Sequence, residues 1–567
     1  MLEKETQSNV QQQTGATVLL TALKKQNVNL LFGYPGGAVL PLYDALYQMK
    51  FQNILVRHEQ GAVHAAEGYA KVTGKPGVVF VTSGPGATNA MTGLANAMSD
   101  STPIVVFTGQ VGVGAIGTDA FQEADVLSMT APVTKNNYQV RRVADLPRIV
   151  AEAFRVATTG RKGPVVVDLP KSVTQEQVTE LTDDQVHLTS YQAKRPLDQA
   201  AMDEMLLALR QASKPVILAG GGIGAAQAST ELRKFSKDFQ LPVVASLLGL
   251  GDMPTDEPLF LGMGGMHGTY TANMALTECD FLLCIGARFD DRLATAPKQF
   301  APNAKIAHID IDPAELGKVI AADYPIVADA KVALEYCLAQ PMKPAHDQTW
   351  LQLLKQRKAA HPYSYQESST ELKPQRVIEL VGRLTKGDAT VVTDVGQHQM
   401  WTAQFYPFSR PQQLITSGGL GTMGFGLPAA IGAAFATPDK TVVLFVGDGG
   451  LQMTSEELDV LAAYDLNVKV ILLNNGTLGM VRQWQDLFYE KRRSQTVFDH
   501  QPDFMKLAAA YGLRHLKVTS PVTVAAELER AFSSPHAMLI EADIPALEQV
   551  FPMIAPGKSN DQMIGVK

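Results

Sequence analysis

The chain has 567 residues, and its 49 Lys and Arg against 56 Asp and Glu leave a formal net charge of −7 at pH 7, which argues against nucleic acid as a partner. Its three cysteines, Cys279, Cys284 and Cys337, are odd in number and lack CxxC spacing, so the sequence indicates neither a disulfide framework nor a zinc site and favours a cytoplasmic location. No apolar run reaches the ~18 residues of a membrane span and the N-terminal residues lack a signal-peptide core, so we expect no membrane partner and a soluble, unprocessed protein.

Short β-branched and apolar runs recur along the chain, each ending near Gly, Asp or Asn, with helix-length amphipathic segments between them. This alternation predicts an α/β fold of doubly wound parallel sheets with helices on both faces. Two polar stretches, 172–197 and 341–374, interrupt it and indicate linkers. We therefore predict three domains, 1–190, 191–355 and 365–545, followed by a tail at 546–567. The strand-like runs begin at Val78, Ile104, Val165, Val216, Phe281, Ile306 and Val391.

Glu59 is the first candidate site residue. A strand-like segment from Asn53 to Arg57 ends just before it, and a helix-like segment follows. We expect Glu59 at the carboxyl end of a strand, where partial burial favours a protonated carboxyl group that can act as an acid. The alternative is an ordinary glutamate that interacts with the N-terminal dipole of its helix.

Three loops of the first domain can present backbone amides or an amide side chain to a substrate: YPGG at 34–37, SGPGATNA from Ser83 and GTDAFQE from Gly117. The residues chosen there are Gly37, Phe121 and Gln122. A glycine turn and a buried aromatic residue are the alternative. Lys171, after the strand-like VVVDLP, either meets a substrate carboxylate or is a solvated lysine.

The middle domain contains VILAGGGIG at 216–224, where three glycines follow a strand as a pyrophosphate loop requires, although the pattern is not a strict GxGxxG. GMGGMHGT, GARFDDR and HIDIDPAE add loops, an arginine and acids at strand ends. Asp310 is suited to bind ribose hydroxyls and Arg288 a phosphate oxygen, so we expect a dinucleotide here. For Met266 and His267 the alternative is loop packing.

In the third domain, Gly447-Asp448-Gly449 follows the apolar run 441–446, and Asn474-Asn475 follows the run 468–473. Neighbouring parallel strands would bring Asp448 and Asn475 to the same crevice. A carboxylate, an amide oxygen and a backbone carbonyl suit Mg²⁺, and glycines let the backbone approach a diphosphate. The triplet alone could be a strand-to-helix turn capped by Asp. With the asparagine pair at this spacing, the pattern resembles the thiamin diphosphate enzymes.

The motifs together resemble one family over essentially the whole chain. RHEQGAVHAAEGYA, GTDAFQE, GMHGT, GARFDDR, VGQHQMW, GTMGFGLPAAIG, GDG with NN, and LGMVRQWQ are similar to motifs of the large catalytic subunits of the acetohydroxyacid (acetolactate) synthase family. The resemblance implies thiamin diphosphate, Mg²⁺ and FAD as cofactors. It also implies that the three domains bind the thiamin pyrimidine, FAD and the diphosphate, in that order.

The resemblance implies cofactor roles at the matched positions. Mg²⁺ would be held by Asp448, Asn475 and the carbonyl of Thr477. The bound thiamin diphosphate would be lined by Val395, Gly396, Gln397, His398, Gly421, Met423, Gly447, Gly449, Gly450 and Met480, with Met423 under the cofactor. FAD, without a net redox role, would be held by Arg161, Gly220, Gly221, Gly222, Met266, His267, Gly286, Arg288, Asp290, Asp310, Ile311, Asp329, Gly418 and Gly419.

It also implies a reaction. Pyruvate would be decarboxylated and its hydroxyethyl group transferred to a second pyruvate or to 2-ketobutyrate, which is the first common step of branched-chain amino acid synthesis. Glu59 would contact N1′ of the cofactor from the opposite subunit of a homodimer or tetramer. Met480 and Trp484 would shape the second-substrate pocket, and Arg292 would pair with the incoming carboxylate. A small regulatory subunit is a partner that the sequence leaves open.

The chain departs from the family pattern at two places: LATAPKQF follows GARFDDR where a VTGK-like segment is expected, and TMG at Thr422 replaces the more frequent AMG. Three alternatives stay open: a catabolic, FAD-free acetolactate synthase, a pyruvate oxidase, and a non-catalytic protein of the same fold. GARFDDR, GMHGT and FQE favour the FAD form. Trp484 and Arg292 favour carboligation over oxidation, and the presence of Glu59, Asp448 and Asn475 opposes a scaffold.

Overall fold

The computed structural model describes residues 13–179, 181, 184–186, 188–193, 195–341 and 348–566. The chain divides into two compact units, the first ending at Ala193 and the second comprising the rest. The outer ends of the predicted first domain and tail, and parts of both predicted linkers, lie outside the described residues. No helix of the described residues is both long and apolar enough to cross a membrane.

The first unit contains a parallel sheet with helices packed on it. Its strands are β1 (Gln13–Thr14), β2 (Leu30–Gly33), β3 (Gln52–Leu55), β4 (Gly77–Val81), β5 (Ile104–Gln110), β6 (Asn136–Gln139), β7 (Pro164–Pro170) and β8 (Gln177–Val178). Its helices are α1 (Gly15–Lys25), α2 (Leu40–Gln48), α3 (Glu59–Thr73), α4 (Pro85–Asn89), α5 (Met91–Ser99), α6 (Val126–Thr130), α7 (Leu146–Thr158) and α8 (Lys171–Gln175). The sheet order is β3-β2-β4-β5-β7-β6, and β1 pairs separately with β8.

The inner strands β4, β5 and β7 are buried along their whole length, as continuous β-branched runs covered by helices on both faces should be. The helix α3 begins at Glu59 after His58, whose Nδ1 accepts a hydrogen bond from the Gln60 amide at 3.2 Å. Because β2, β3, β4 and β5 run parallel, the loops that follow β2, β4 and β5 lie at the same edge of the sheet as Glu59, which comes after β3.

The second unit begins with a parallel sheet made of β9 (Pro215–Ala219), β10 (Val243–Ala245), β11 (Phe260–Met263), β12 (Phe281–Ile285), β13 (Lys305–Asp310) and β14 (Tyr324–Val327). The helices are α9 (Gln199–Gln211), α10 (Gly221–Ala225), α11 (Ser229–Phe239), α12 (Tyr270–Glu278), α13 (Ala330–Ala339) and α14 (Gln348–Ala360). The strand order is β11-β10-β9-β12-β13-β14. Successive strands are added on one side of β9 up to β11 and on its other side from β12 onward, so the order of addition reverses between β9 and β12. Open α/β sheets bind ligands at such a reversal.

A further parallel sheet has β15 (Thr390–Thr393), β16 (Leu414–Ile415), β17 (Val442–Gly447), β18 (Val468–Asn474), β19 (Arg514–Val518) and β20 (Met538–Asp543). Its helices are α15 (Pro374–Leu384), α16 (Gln397–Phe405), α17 (Gly426–Ala436), α18 (Asp448–Met453), α19 (Leu458–Tyr464), α20 (Gly479–Phe488), α21 (Phe504–Ala510) and α22 (Val524–Phe532). The order β16-β15-β17-β18-β20-β19 repeats that of the first unit strand for strand. The predicted α/β class of parallel sheets is confirmed.

The two sheets of the second unit share one hydrophobic core, which includes Phe235, Phe281 and Phe445. A C-terminal hairpin of β21 (Met553–Ile554) and β22 (Met563–Ile564) joins them, because the amide of Ile554 donates to the carbonyl of Met266 at 2.8 Å. The polar stretch 341–374, interpreted from the sequence as a linker, is partly helical. It contains α14, which buries Trp350 and Leu354 against the central sheet.

Candidate active site

A crevice of about 440 Å³, including its open mouth, lies where β17 and β18 end. Gly447 pairs with Leu473 across these strands, so Asp448 and Asn475 leave adjacent strands at the same edge. Among the predicted site residues, the crevice is lined by Val395, Gly396, Gln397, His398, Met423, Gly447, Asp448, Gly449, Gly450, Asn475, Thr477 and Met480. Gly421 borders it, since a Cβ there would lie 3.9 Å from Val395.

The donors at the strand ends fit a magnesium ion. Asp448 is buried, and its Oδ1 accepts from the Gly449 amide at 3.1 Å while its Oδ2 accepts from Gln501. Burial raises the pKa of Asp448 to about 6, and a divalent cation would keep this carboxylate ionised. Asn475 Oδ1 accepts from the Thr477 amide at 3.0 Å. Mg²⁺ usually keeps several water and phosphate ligands, and these would complete its coordination.

The walls of the crevice fit a diphosphate. His398 Nε2 and Thr477 Oγ1 are buried without a hydrogen-bond partner in the described structure, and both can donate to phosphate oxygens. Burial lowers the pKa of His398 to about 4, so its imidazole is neutral. A Cβ on Gly449 would lie 2.6 Å from Leu478, and one on Gly450 would lie 2.4 Å from Asp394 Oδ1. A side chain at Gly450 would therefore collide with the buried carboxylate of Asp394.

Asp394 and Gln501 border this site and were not predicted. The carboxylate of Asp394 accepts from the amides of Gly424 and Gly426, at distances down to 2.8 Å, and so holds the loop that contains Met423. The signal for Asp394 was its place at a strand end just before VGQH. Gln501 lies in an irregular segment with no comparable signal.

The expected acceptor side brings Arg292 and Trp484 together. The guanidinium carbon of Arg292 lies 5.5 Å from the centre of the Trp484 ring, and Trp484 Nε1 is buried without a partner in the described structure. Met480 is one turn before Trp484 on α20 and lines the crevice. Asp290 Oδ1 accepts from the amide of Arg292 at 3.0 Å, which shapes the turn despite the unusual LATAPKQF that follows.

Met266 and His267 lie beside Arg292. The amide of Met266 donates to the carbonyl of Arg292 at 2.7 Å, and His267 Nδ1 lies 3.3 Å from the carbonyl of Pro552. Burial lowers the pKa of His267 to about 4, so it is neutral. These residues therefore connect the central sheet to the C-terminal hairpin.

The predicted dinucleotide loops meet at the reversal of the central sheet. A Cβ on Gly220 would lie 2.1 Å from the carbonyl oxygen of Gly286, and one on Gly222 would lie 2.6 Å from its Cα. The order of this sheet is that of dinucleotide-binding folds. The side chain of Leu248 lies within 3.0 Å of the Cβ positions of both Gly221 and Gly418, which brings these two predicted residues to one place.

The other predicted FAD residues occupy loop and strand-end positions. Arg288 follows β12, Asp310 ends β13 and Ile311 comes directly after it. The carboxylate of Asp310 accepts from the Asp312 amide at 2.8 Å. Asp329 caps α13 through the amide of Lys331 at 2.9 Å. Gly419 follows Gly418 after β16. Arg161 lies in the first unit, where its Nε donates to Ser101 at 2.9 Å.

In the first unit, Glu59 and the predicted loops border the segment after β4. A Cβ on Gly86 would lie 3.5 Å from Glu59 Oε1, and one on Gly84 would lie 2.9 Å from the carbonyl oxygen of Gln122. Gln122 has φ +61°, a strained conformation that is common at functional sites. A Cβ on Gly37 would meet no atom within 4 Å. Phe121, which precedes Gln122 in the chain, is 89% exposed and is therefore not a buried packing residue. Lys171 begins α8 directly after β7.

Family models match most of the described chain. The N-terminal TPP binding domain of thiamine pyrophosphate enzymes matches residues 13–129, the central domain matches 202–337, and the C-terminal TPP binding domain matches 394–542. These matches and the glycine-lined crevice define a thiamine pyrophosphate enzyme.

Proteins with similar sequences identify the family within the thiamine pyrophosphate enzymes. The chain is 52% identical to an acetolactate synthase large subunit of Lactococcus lactis subsp. lactis, over 98% of this chain and 96% of that protein. It is 45% identical to the acetolactate synthase large subunit of Haemophilus influenzae and 44% identical to the isozyme 3 large subunit of Escherichia coli K12, each over 97% of this chain and 98% of the relative. The chain belongs to the acetolactate synthase large-subunit family and is an enzyme that uses thiamin diphosphate.

Proposed function

We propose that this chain converts two molecules of pyruvate into 2-acetolactate and carbon dioxide. It would likewise convert pyruvate and 2-ketobutyrate into 2-aceto-2-hydroxybutyrate and carbon dioxide. The observation that carries the proposal is the glycine-lined crevice where Asp448 and Asn475 leave adjacent strands. Bound thiamin diphosphate supplies the electron sink for decarboxylation of a 2-keto acid.

The residues of the chain divide the remaining work. Asp448, Asn475 and the Thr477 carbonyl hold Mg²⁺, and the amides and His398 around the crevice bind the diphosphate. Met423 supports the cofactor. Its loop is held by the carboxylate of Asp394, which accepts a hydrogen bond from the amide of Gly426. Glu59 holds a proton for the aminopyrimidine of the cofactor. This glutamate is the one of the partner copy in a homodimer or tetramer.

The acceptor residues select a second keto acid. Arg292 pairs with its carboxylate, and Trp484 and Met480 contact its alkyl group. Gly37, Phe121, Gln122 and Lys171 are further candidates for substrate contact and belong to the first unit. FAD is bound structurally at the reversal of the central sheet. Localisation in the cytoplasm is supported by three buried free thiols, and a small regulatory subunit is a further partner.

The test is product analysis with pyruvate, thiamin diphosphate, Mg²⁺ and FAD, repeated with 2-ketobutyrate. We expect acetolactate alone in the first assay and a strong shift to acetohydroxybutyrate in the second. Pyruvate consumption with stoichiometric oxygen uptake would favour the oxidase alternative, and no consumption would favour a scaffold. Full activity in protein stripped of FAD would favour the catabolic, FAD-free form.

A further inference from the structure

The side-chain amide of Asn89 donates a hydrogen bond to Glu59, with 3.0 Å between Nδ2 and Oε2. No role described above uses Asn89. Resting on the proposed function, we propose that Asn89 is a positioning residue that determines which carboxyl oxygen of Glu59 holds the proton offered to the cofactor. It is not a catalytic residue, because it acts through Glu59.

The turn after β4 explains why Asn89 reaches Glu59. Gly84 has φ +58°, and Pro85 begins the short helix α4, which ends at Asn89. A Cβ on Gly86 would lie 2.7 Å from Thr82 Cγ2, so a glycine is required for α4 to approach the end of β4 this closely. The two residues are 30 positions apart in the sequence.

The same turn gives the two carboxyl oxygens of Glu59 different surroundings. Oε2 accepts from Asn89, whereas Oε1 accepts no hydrogen bond from the described residues and would lie 3.5 Å from a Cβ added to Gly86. The Oε1 side is therefore the side left open for a ligand atom. The carboxyl group needs this anchor, because the last torsion of a glutamate side chain is broad and roughly two-fold.

An amide nitrogen can only donate, so the oxygen that it contacts must accept. A protonated carboxyl group has one hydroxyl oxygen and one accepting oxygen. With Oε2 held as the acceptor by Asn89, the proton lies on Oε1, toward the open side. Without Asn89 the group can rotate and present the accepting oxygen to the cofactor instead.

The first test is Asn89→Ala, with Thr88→Ala as the matched control. Thr88 is the exposed neighbour on α4, and its hydroxyl bonds only to the Pro85 carbonyl in the described structure, at 3.2 Å. The readout is exchange of the C2 proton of bound thiamin diphosphate in D₂O without pyruvate, together with cofactor affinity and thermal melting. We expect exchange to slow by about 10- to 100-fold in Asn89→Ala, with cofactor affinity kept and the control unchanged. Exchange within about twofold of wild type would overturn the proposal.

The second variant, Asn89→Asp, keeps the shape and makes the donor titratable. Two carboxyl groups this close share one proton, which is held more tightly than by either alone. As pH falls, the new carboxyl group becomes a donor to Oε2 and exchange should recover; as pH rises, it should be lost. Among the described residues, the other titratable groups near Glu59 are His58, which precedes it, and Tyr43 of α2. Burial raises the pKa of Tyr43 far enough to keep it neutral. A deficit that does not depend on pH would show mere packing and overturn the proposal.

Glu59→Gln separates the two levels of inference. If wild-type protein does not bind thiamin diphosphate, or exchanges C2 no faster than Glu59→Gln, the proposed function itself fails. If Glu59→Gln is slow but Asn89→Ala matches wild type, only the role of Asn89 fails.

Discussion

Arg292 and Trp484 come from loops and helices of different sheets, yet the guanidinium carbon of Arg292 lies 5.5 Å from the centre of the Trp484 ring. Arg292 follows β12 in the central sheet, and Trp484 lies on α20 after β18. A guanidinium within about 6 Å of an indole is attracted by the ring, so the charge is held in one place although Arg292 is exposed. This pair places a cation beside an aromatic ring, which is the arrangement that the proposed acceptor site uses.

Trp484→Leu should weaken the preference for 2-ketobutyrate over pyruvate as acceptor, because it removes the aromatic wall beside Arg292. One methylene of substrate in an apolar pocket changes selectivity by about 10- to 200-fold, and most of that should be lost. The measurement is the ratio of the two products with both acids present. Tyr489→Leu, at the exposed end of α20, is the control, and an unchanged ratio in Trp484→Leu would contradict the assignment.

Glu59→Gln should leave binding of thiamin diphosphate nearly intact and lower turnover by about 100- to 10,000-fold, because glutamine has the shape but not the acidic proton. Turnover with pyruvate and cofactor affinity are measured on the same preparation. Glu176→Gln replaces an exposed glutamate of the same unit and should behave as wild type. Full turnover in Glu59→Gln would remove Glu59 from its role.

Asp448→Ala should abolish the magnesium dependence of cofactor binding, since it deletes the charged ligand at the end of β17. We expect affinity for thiamin diphosphate in Mg²⁺ to fall by at least about tenfold. Titration of cofactor-free protein with and without Mg²⁺ measures this. Asp439→Ala, an exposed aspartate before β17, serves as the control. Equal affinity in the two variants would argue against the magnesium site.

Gly450→Ala should destabilise the second unit by about 1–3 kcal/mol, because its Cβ would lie 2.4 Å from the buried Asp394 Oδ1. Asp394 cannot move without releasing the amides of Gly424 and Gly426. Denaturant unfolding measures the loss. Gly224→Ala, whose Cβ would make only an ordinary contact at 3.5 Å, should be close to neutral. Equal stability of the two variants would mean that the crevice tolerates a side chain.

Asp252 should make stability depend on pH. Burial, partly offset by Ser229 and Arg233, raises the pKa of Asp252 from 3.8 to about 7. The folded chain therefore holds this proton more tightly than the unfolded chain does. The contribution of Asp252 to the free energy of unfolding is fully present below about pH 4 and is lost as pH rises through about 7. Asp252→Asn cannot ionise, and its unfolding midpoint relative to wild type should rise between pH 5 and pH 8. A constant difference would contradict the assigned shift.

Strands were predictable where apolar β-branched runs are continuous. The run predicted at 441–446 is β17, Val442–Gly447, and the run at 468–473 is β18, Val468–Asn474. The helix α14 was missed because it buries only Trp350 and Leu354 among many polar residues. Its polar composition was interpreted as a linker, whereas two residues one turn apart are enough to attach it to the core.

Strand order could not be predicted in the same way. The sheets of the first unit and of residues after 374 have the same order, although their sequences show no obvious repeat. Order depends on which strands pair across long separations, and local apolar periodicity does not encode that pairing.

The sequence alone determined the α/β class, the family, and the residue types that end each strand, because β-branched runs, glycine turns and polar strand ends are local patterns. The sequence also predicted that the strand ends with Asp448 and Asn475 meet, but only the tertiary structure decided the other contacts between distant segments. It brought Asn89 to Glu59, the carboxylate of Asp394 to the amides beyond Met423, and Gln501 to Asp448. These contacts join residues 30 or more positions apart, and they arise from strand order and close backbone approach, which are properties of the folded sheet.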